Sequence, residues 1–138
     1  MSTGELIPYV PEPVAPAGAA KKILVVDDSE IVRQLVADRL EDAGYSVVTL
    51  GSAFQLNVAI QKDRPDLILL DVRMPALRGD RAAEILRRHR FSRGIPIVLF
   101  SDTDEEELGE LVATTGADGF VRKSPGFVDL PAALRRWI

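Results

Sequence analysis

Three carboxylates stand directly after two short apolar segments of this sequence. Asp27 and Asp28 follow the segment at 23–26, and Asp71 follows the segment at 67–70. Carboxylates that lie close together repel one another unless a cation or a proton intervenes. Their oxygen atoms are the ligands that hard divalent cations prefer. If the fold brings the three acids together, the sequence therefore predicts a metal-binding site.

The two apolar segments have the composition of strands in a parallel sheet. They are short, rich in Ile, Leu and Val, and do not alternate with polar residues, as expected where helices cover both faces of a sheet. Similar segments at 46–50, 95–100 and 119–121 bring the predicted strands to five. Helices are predicted at 30–43, 53–63, 80–90, 104–115 and 130–138, with Ser29, Ser52 and Asp129 as the caps of the first, second and last. The alternation predicts an α/β fold with a doubly wound, five-stranded parallel sheet.

Polar residues also follow the last two predicted strands. Ser101 comes after the fourth strand and Lys123 after the fifth. Parallel strands have their carboxyl ends at one edge of the sheet, and ligands of open α/β sheets bind beyond that edge. We therefore expect three acids, one hydroxyl and one amine to meet there.

In this order and spacing, four motifs resemble the receiver domain of the two-component response regulator family. They are VVDDS at 25–29, LLDVRMPALRG at 69–79, FSD at 100–102 and FVRKSP at 120–125. No single motif is specific, but their order and spacing together are. The resemblance covers residues 21–138 and implies the CheY-like, flavodoxin-like fold with strand order 2-1-3-4-5.

The resemblance implies a role for each residue that would touch the phosphoryl group. Asp71 would be the nucleophile that attacks phosphorus to form an aspartyl phosphate. Lys123 would bridge Asp71 and the incoming group, and Ser101 would donate a hydrogen bond to it. Phe120 occupies the position of the family's switch aromatic residue, so Ser101 and Phe120 are the expected switch residues.

The resemblance also implies that Mg²⁺ is the cofactor. Asp28, Asp71 and the backbone carbonyl of Arg73 would ligate it directly. Asp27 would act through a metal-bound water, because Mg²⁺ keeps several waters in its octahedral shell. Arg73 lies two residues after the acceptor, and we expect it to affect the lifetime of the phosphoryl group.

The function implied is that of a phosphorylation-dependent signalling switch. A sensor histidine kinase or a phosphotransfer protein would donate the phosphoryl group, and a downstream protein target would bind the switched surface. The domain is not expected to be an enzyme, although it would catalyse its own Mg²⁺-dependent phosphorylation and dephosphorylation. The sequence leaves open the kinase, the target, homodimer formation on phosphorylation, and whether the domain stands alone or comes from a longer protein.

Composition limits the other classes of function. The net charge of −4 does not favour binding to nucleic acid or to an anionic membrane, and no apolar stretch approaches the about 20 residues that span a bilayer. The 138 residues contain no cysteine, and no signal peptide is recognisable, so we expect a cytoplasmic location and no membrane partner.

Residues 1–20 differ from the rest of the chain. They carry Pro8, Pro11, Pro13 and Pro16 among small residues, which predicts a flexible or extended arm ahead of a receiver domain at 21–138. A docking peptide at 7–11 is the alternative for this arm.

Some features depart from the family and keep alternatives open. Asp102 stands where a small residue is usual; it would either disturb the phosphoryl pocket or face solvent. Together with phenylalanine at 120, it keeps open the alternative of a phosphate-independent protein-docking receiver. Ser124-Pro125 after Lys123 puts the conformation of that loop in question. A Mg²⁺-dependent phosphohydrolase and nucleic-acid binding through Arg87, Arg88, His89, Arg90 and Arg93 are weaker alternatives.

Overall fold

The computed structural model describes residues 20–74, 79–88 and 94–138. The predicted arm lies outside these ranges except for Ala20. So do most of the predicted loop at 75–79 and the last two residues of the predicted third helix. Within the described ranges, no helix is long and apolar enough to cross a bilayer.

The sheet has the predicted number and order of strands. The strands are β1 (Lys22–Val26), β2 (Ser46–Leu50), β3 (Leu67–Asp71), β4 (Ile97–Ser101) and β5 (Gly119–Arg122). All neighbours pair in parallel, and the order is β2-β1-β3-β4-β5, which confirms the predicted 2-1-3-4-5 arrangement. β4 begins two residues later than predicted, at Ile97. Pro96 precedes it and has no N–H to donate to a strand ladder.

The described residues contain five α-helices, of which the first four connect the strands and the last follows β5. They are α1 (Glu30–Asp42), α2 (Leu56–Asp63), α3 (Gly79–Arg88), α4 (Glu105–Thr115) and α5 (Leu130–Leu134). Ser29 caps α1 as predicted, because its hydroxyl accepts a 3.2 Å hydrogen bond from the N–H of Val32. Asp104 caps α4 in the same way by accepting from the N–H of Glu107.

Two helix predictions need correction at their ends. The residues after Ser52 form a single 3₁₀ turn at Ala53–Gln55, and only then does α2 begin. The last helix stops at Leu134 instead of Ile138, because the N–H groups of Arg135 and Trp137 bond to carbonyls three residues earlier and tighten the chain into turns. Asp129 precedes α5, but its side chain makes no capping hydrogen bond.

Alternate residues of β1, β3 and β4 are buried on opposite faces of the sheet. Leu24, Ile68 and Leu99 belong to the core cluster formed with α2, α3 and α4. Ile23 and Leu69 belong to the cluster formed with α1 and α5. Both faces are covered, which explains the continuous apolar character of β1, β3 and β4 and leaves the carboxyl edge of the sheet as the place for polar groups.

Candidate functional site

The three predicted acids meet at the carboxyl edge of the sheet. Asp27 and Asp28 follow β1, Asp71 is the last residue of β3, and one carboxylate oxygen from each lies within 4.8 Å of the other two. Asp27 and Asp71 are buried, with 1% and 4% of their surface exposed, whereas Asp28 is exposed. The cluster therefore combines two buried carboxylates with a third that is open to water.

Asp27 is held by hydrogen bonds at both carboxylate oxygens. Oδ1 accepts from the N–H of Ser29 at 2.9 Å, and Oδ2 accepts from the ammonium of Lys123 at 2.9 Å. The backbone carbonyl of Asp27 accepts from the guanidinium of Arg33 at 2.7 Å. Asp27 is thus fixed in position by the start of α1 and by the loop after β5.

Asp71 has a weaker set of partners. Its Oδ1 accepts a 3.1 Å hydrogen bond from the N–H of Arg73, and the Lys123 ammonium lies 3.6 Å from the same atom. Burial raises the pKa of the Asp71 carboxyl above its ordinary 3.8, and the negative charges of Asp27 and Asp28 raise it further. The Arg73 hydrogen bond and the Lys123 charge oppose this rise without cancelling it.

Lys123 lies at the same edge of the sheet as the acids, with its ammonium beside the carboxylates of Asp27 and Asp71. Its backbone N–H donates to the carbonyl of Ser101 at 2.8 Å, which anchors the end of β5 to the end of β4. The ammonium also lies 5.1 Å from the centroid of the Phe100 ring, within range of a cation–π interaction. The Ser124-Pro125 sequence leads into a 3₁₀ turn, Pro125–Phe127, and leaves the amine at the site.

Ser101 is at the predicted edge and is 1% exposed, but its hydroxyl is already engaged. It donates to Oγ1 of Thr103 at 3.0 Å and accepts from the N–H of Thr103 at 3.1 Å. Arg73 also donates to Oγ1 of Thr103, at 2.7 Å. Thr103 is not among the predicted site residues, although a second hydroxyl two residues after Ser101 was a signal for it.

Asp102 is exposed, as the solvent-facing alternative for this acid requires. Its backbone carbonyl accepts a 3.3 Å hydrogen bond from Arg122, whose Nε also donates to the carbonyl of Thr103 at 3.1 Å. Arg122 therefore fastens the loop after β4 to β5. This is a second residue that sequence reasoning did not single out.

Phe120 lies on β5 and is half-buried. Together with Phe127 and Trp137 it lines a groove of about 760 Å³ that residues of α4, β5 and α5 form. The groove lies beside the edge strand, next to the loop that carries Lys123.

In the basic segment at 87–93, Arg87 makes contacts that stabilise the fold. Arg87 pairs with Asp118 and donates to the carbonyl of Ile95, so it ties α3 to the chain on either side of β4. His89, Arg90 and Arg93 lie outside the described residues.

The fold and the site together define a class of protein. A parallel sheet of order 2-1-3-4-5, with acids, a hydroxyl and an amine at its carboxyl edge, is the architecture of a receiver-type signalling domain. The sequence matches the response regulator receiver domain family over residues 23–135, and the chain belongs to that family. Phosphorylation of an aspartate in two-component signalling is the standard function of this family.

Curated relatives include transcriptional regulators. The chain is 34% identical over 115 residues to the phosphate regulon transcriptional regulatory protein PhoB of Pseudomonas aeruginosa, and the match covers 83% of this chain and 50% of that protein. It is 38% identical over 120 residues to the alkaline phosphatase synthesis transcriptional regulatory protein PhoP of Bacillus subtilis, and this match covers 84% of this chain and 49% of that protein. The chain thus spans about half the length of these two relatives.

Solved structures of receiver domains are similar over most of the chain. The chemotaxis protein CheY4 of Vibrio cholerae is 31% identical, with a TM-score of 0.79 over 87% of this chain and 100% of that chain. The receiver domain of the sensor histidine kinase PA1611 of Pseudomonas aeruginosa was solved with a magnesium ion in its active site cleft. It is 26% identical, with a TM-score of 0.75, and the match covers 86% of this chain and 98% of that chain. The BeF3-activated receiver domain of Klebsiella pneumoniae RstA is 29% identical, with a TM-score of 0.73, and the match covers 85% of this chain and 97% of that chain.

Proposed function

We propose that this domain accepts a phosphoryl group on Asp71, from a sensor histidine kinase or a phosphotransfer protein, and thereby switches a surface that a downstream protein binds. The observation that carries the proposal is the position of Asp71. It is the buried last residue of β3, with a carboxylate oxygen within 4.8 Å of those of Asp27 and Asp28 and 3.6 Å from the ammonium of Lys123. In this reading the domain catalyses its own phosphorylation and dephosphorylation.

The chemistry that we assign to Asp71 is an in-line displacement. A carboxylate oxygen attacks phosphorus, the bond between phosphorus and the donor breaks, and the donor leaves with the electron pair. Positioning and charge neutralisation supply most of the catalysis in such transfers. The Arg73 N–H orients the Asp71 carboxylate, and the Lys123 ammonium balances negative charge beside it.

The donor set fits Mg²⁺. All three side chains of the cluster offer oxygen, the ligand type that Mg²⁺ prefers, and Asp28 is open to water, which leaves room for the waters that Mg²⁺ retains. Three carboxylates face one ammonium here, so a divalent cation would offset the excess negative charge. Asp28, Asp71 and the Arg73 carbonyl would hold the ion directly and Asp27 through water. Bound there, Mg²⁺ would neutralise charge on the phosphoryl oxygens.

The surface that we assign to the output is the groove beside Phe120. Phe120 lines it and lies three residues before Lys123. A movement of the loop that carries Lys123 would therefore change the position of Phe120 in the groove. Ser101 is the other switch residue in this proposal, because it is the last residue of β4 and leads into the loop that follows. The partner would be a protein of the cytoplasm, which is also where we place this domain.

The proposal is tested by labelling the full 138-residue chain with acetyl phosphate, once in the presence of Mg²⁺ and once in the presence of a chelator. The wild-type protein should be labelled only with Mg²⁺, and Asp71→Asn should not be labelled. Asp42→Asn, which removes an exposed acid at the far end of α1, should be labelled like the wild type. Undiminished labelling of Asp71→Asn would rule out Asp71 as the acceptor. Absent labelling of the wild type, combined with retained partner binding, would instead support the phosphate-independent docking receiver.

A further inference from the structure

Every polar group of Thr103 is engaged in the loop after β4. Thr103 is 7% exposed, and its Oγ1 receives hydrogen bonds from the Ser101 hydroxyl at 3.0 Å and from the Arg73 guanidinium at 2.7 Å. Its N–H donates back to Ser101, and its carbonyl accepts from Arg122 at 3.1 Å. Thr103 therefore joins two residues near the acceptor, Ser101 at the end of β4 and Arg73 after β3.

This arrangement competes with the role that Ser101 has in phosphoryl binding. A hydroxyl carries one proton, and the Ser101 proton is directed to Thr103. To donate to a phosphoryl oxygen on Asp71, Ser101 has to give up this bond. The guanidinium of Arg73 is likewise turned to Thr103, although its backbone N–H bonds to Asp71.

We propose that Thr103 is a positioning residue that holds Ser101 and Arg73 in the resting arrangement and so sets how strongly the domain favours its unphosphorylated state. The inference rests on the proposed function of Asp71. Because Ser101 is buried, removing the Thr103 acceptor leaves the Ser101 proton without its partner in the resting state. The resting state then loses stability, whereas the phosphoryl-bound state regains a partner for that proton.

The test measures the affinity for beryllofluoride, a phosphoryl analogue, in the presence of Mg²⁺. Thr103→Val keeps the shape and the backbone N–H but removes the hydroxyl, and it should bind beryllofluoride about three- to tenfold more tightly, as expected for one buried hydrogen bond. Thr103→Ser restores the hydroxyl and should bind like the wild type. Thr114→Val is the matched control, because the Thr114 hydroxyl is exposed and bonds only within α4.

A double-mutant cycle separates positioning from a merely structural role. In a Ser101→Ala background, Thr103→Val should change the affinity less than it does in the wild-type background, because the Ser101 proton is gone and only the contact of Thr103 with Arg73 is left to lose. Equal or weaker binding by Thr103→Val in the wild-type background would overturn the inference, even if its free energy of unfolding falls. Failure of the wild type to bind beryllofluoride would overturn the proposed function itself and the inference with it.

Discussion

The ammonium of Lys123 lies closer to Asp27 than to the acceptor candidate, at 2.9 Å from Oδ2 of Asp27. These two residues are 96 positions apart in the sequence, and their contact links the loop after β5 to the end of β1 at the carboxyl edge of the sheet. Asp27 is 1% exposed and the Lys123 side chain 20% exposed, so the pair is shielded from water on the side of the acid. The pair therefore offsets part of the negative charge that the three acids bring together.

Loss of the Lys123 charge should destabilise the resting protein. Lys123→Met leaves two buried carboxylates without their ammonium, and we expect the free energy of unfolding to fall by about 1–3 kcal/mol, less than for a fully buried pair because Lys123 is partly exposed. Chemical unfolding in a chelating buffer measures this. Added Mg²⁺ should restore part of the loss. Lys62→Met, on the exposed side of α2, serves as the control, and an equal loss in both variants would contradict the account.

The raised pKa of Asp71 predicts a pH-dependent effect of Asp71→Asn in the absence of metal. Between the unfolded pKa near 3.8 and the higher folded pKa, the native state binds more protons than the unfolded state, so Asp71 lowers stability progressively as pH rises through that window. Asparagine does not titrate. The variant should therefore match the wild type below this window and exceed it in stability at neutral pH. Unfolding curves across the pH range would show this, and a variant less stable than the wild type at neutral pH would refute it.

Gly119 should not tolerate even a methyl group. A Cβ at this position would clash with Cζ2 of Trp137, whose indole packs against β5. Gly119→Ala should therefore cost about 1–3 kcal/mol of unfolding free energy, the usual range for overpacking. Gly109→Ala is the matched control, because nothing would lie within 4 Å of the added Cβ. Since alanine favours the interior of α4 more than glycine does, this variant should be more stable than the wild type by about 0.5–1 kcal/mol. Thermal unfolding of both variants measures the contrast.

The guanidinium of Arg73 should influence how long the phosphoryl group persists. Its backbone N–H bonds to Asp71 while its side chain reaches Thr103, so it spans the space beside the acceptor. Arg73→Ala keeps the backbone contact and removes the side chain, and we expect a several-fold change in the decay rate of labelled protein. A decay rate equal to that of the wild type would remove Arg73 from the account.

The sheet could be predicted because its signals are local. β1, β3 and β4 are largely apolar segments buried on both faces, and the acids that follow β1 and end β3 fall at the same edge by the geometry of parallel strands. The approach of Asp27, Asp28 and Asp71 to one another also needs β1 and β3 to be neighbours, and that strand order was predicted from the family resemblance.

The missed features depend on contacts between distant segments. Thr103 bonds to Arg73 across 30 residues, and nothing in the local sequence specifies that approach. The early end of α5 has a similar origin, because residues 135–138 could continue a helix by composition. They turn instead, and the Trp137 ring lies against Gly119 on β5. Local propensity is overridden there by tertiary packing.

Direct chemical location of the phosphoryl group tests the central claim most sharply. Protein labelled with acetyl phosphate in the presence of Mg²⁺ can be reduced with borohydride, which converts an aspartyl phosphate to homoserine, and then sequenced by mass spectrometry. Our account predicts homoserine at position 71 and at no other acid. Homoserine at position 27 or 28, or a labelled residue that borohydride does not reduce, would contradict it.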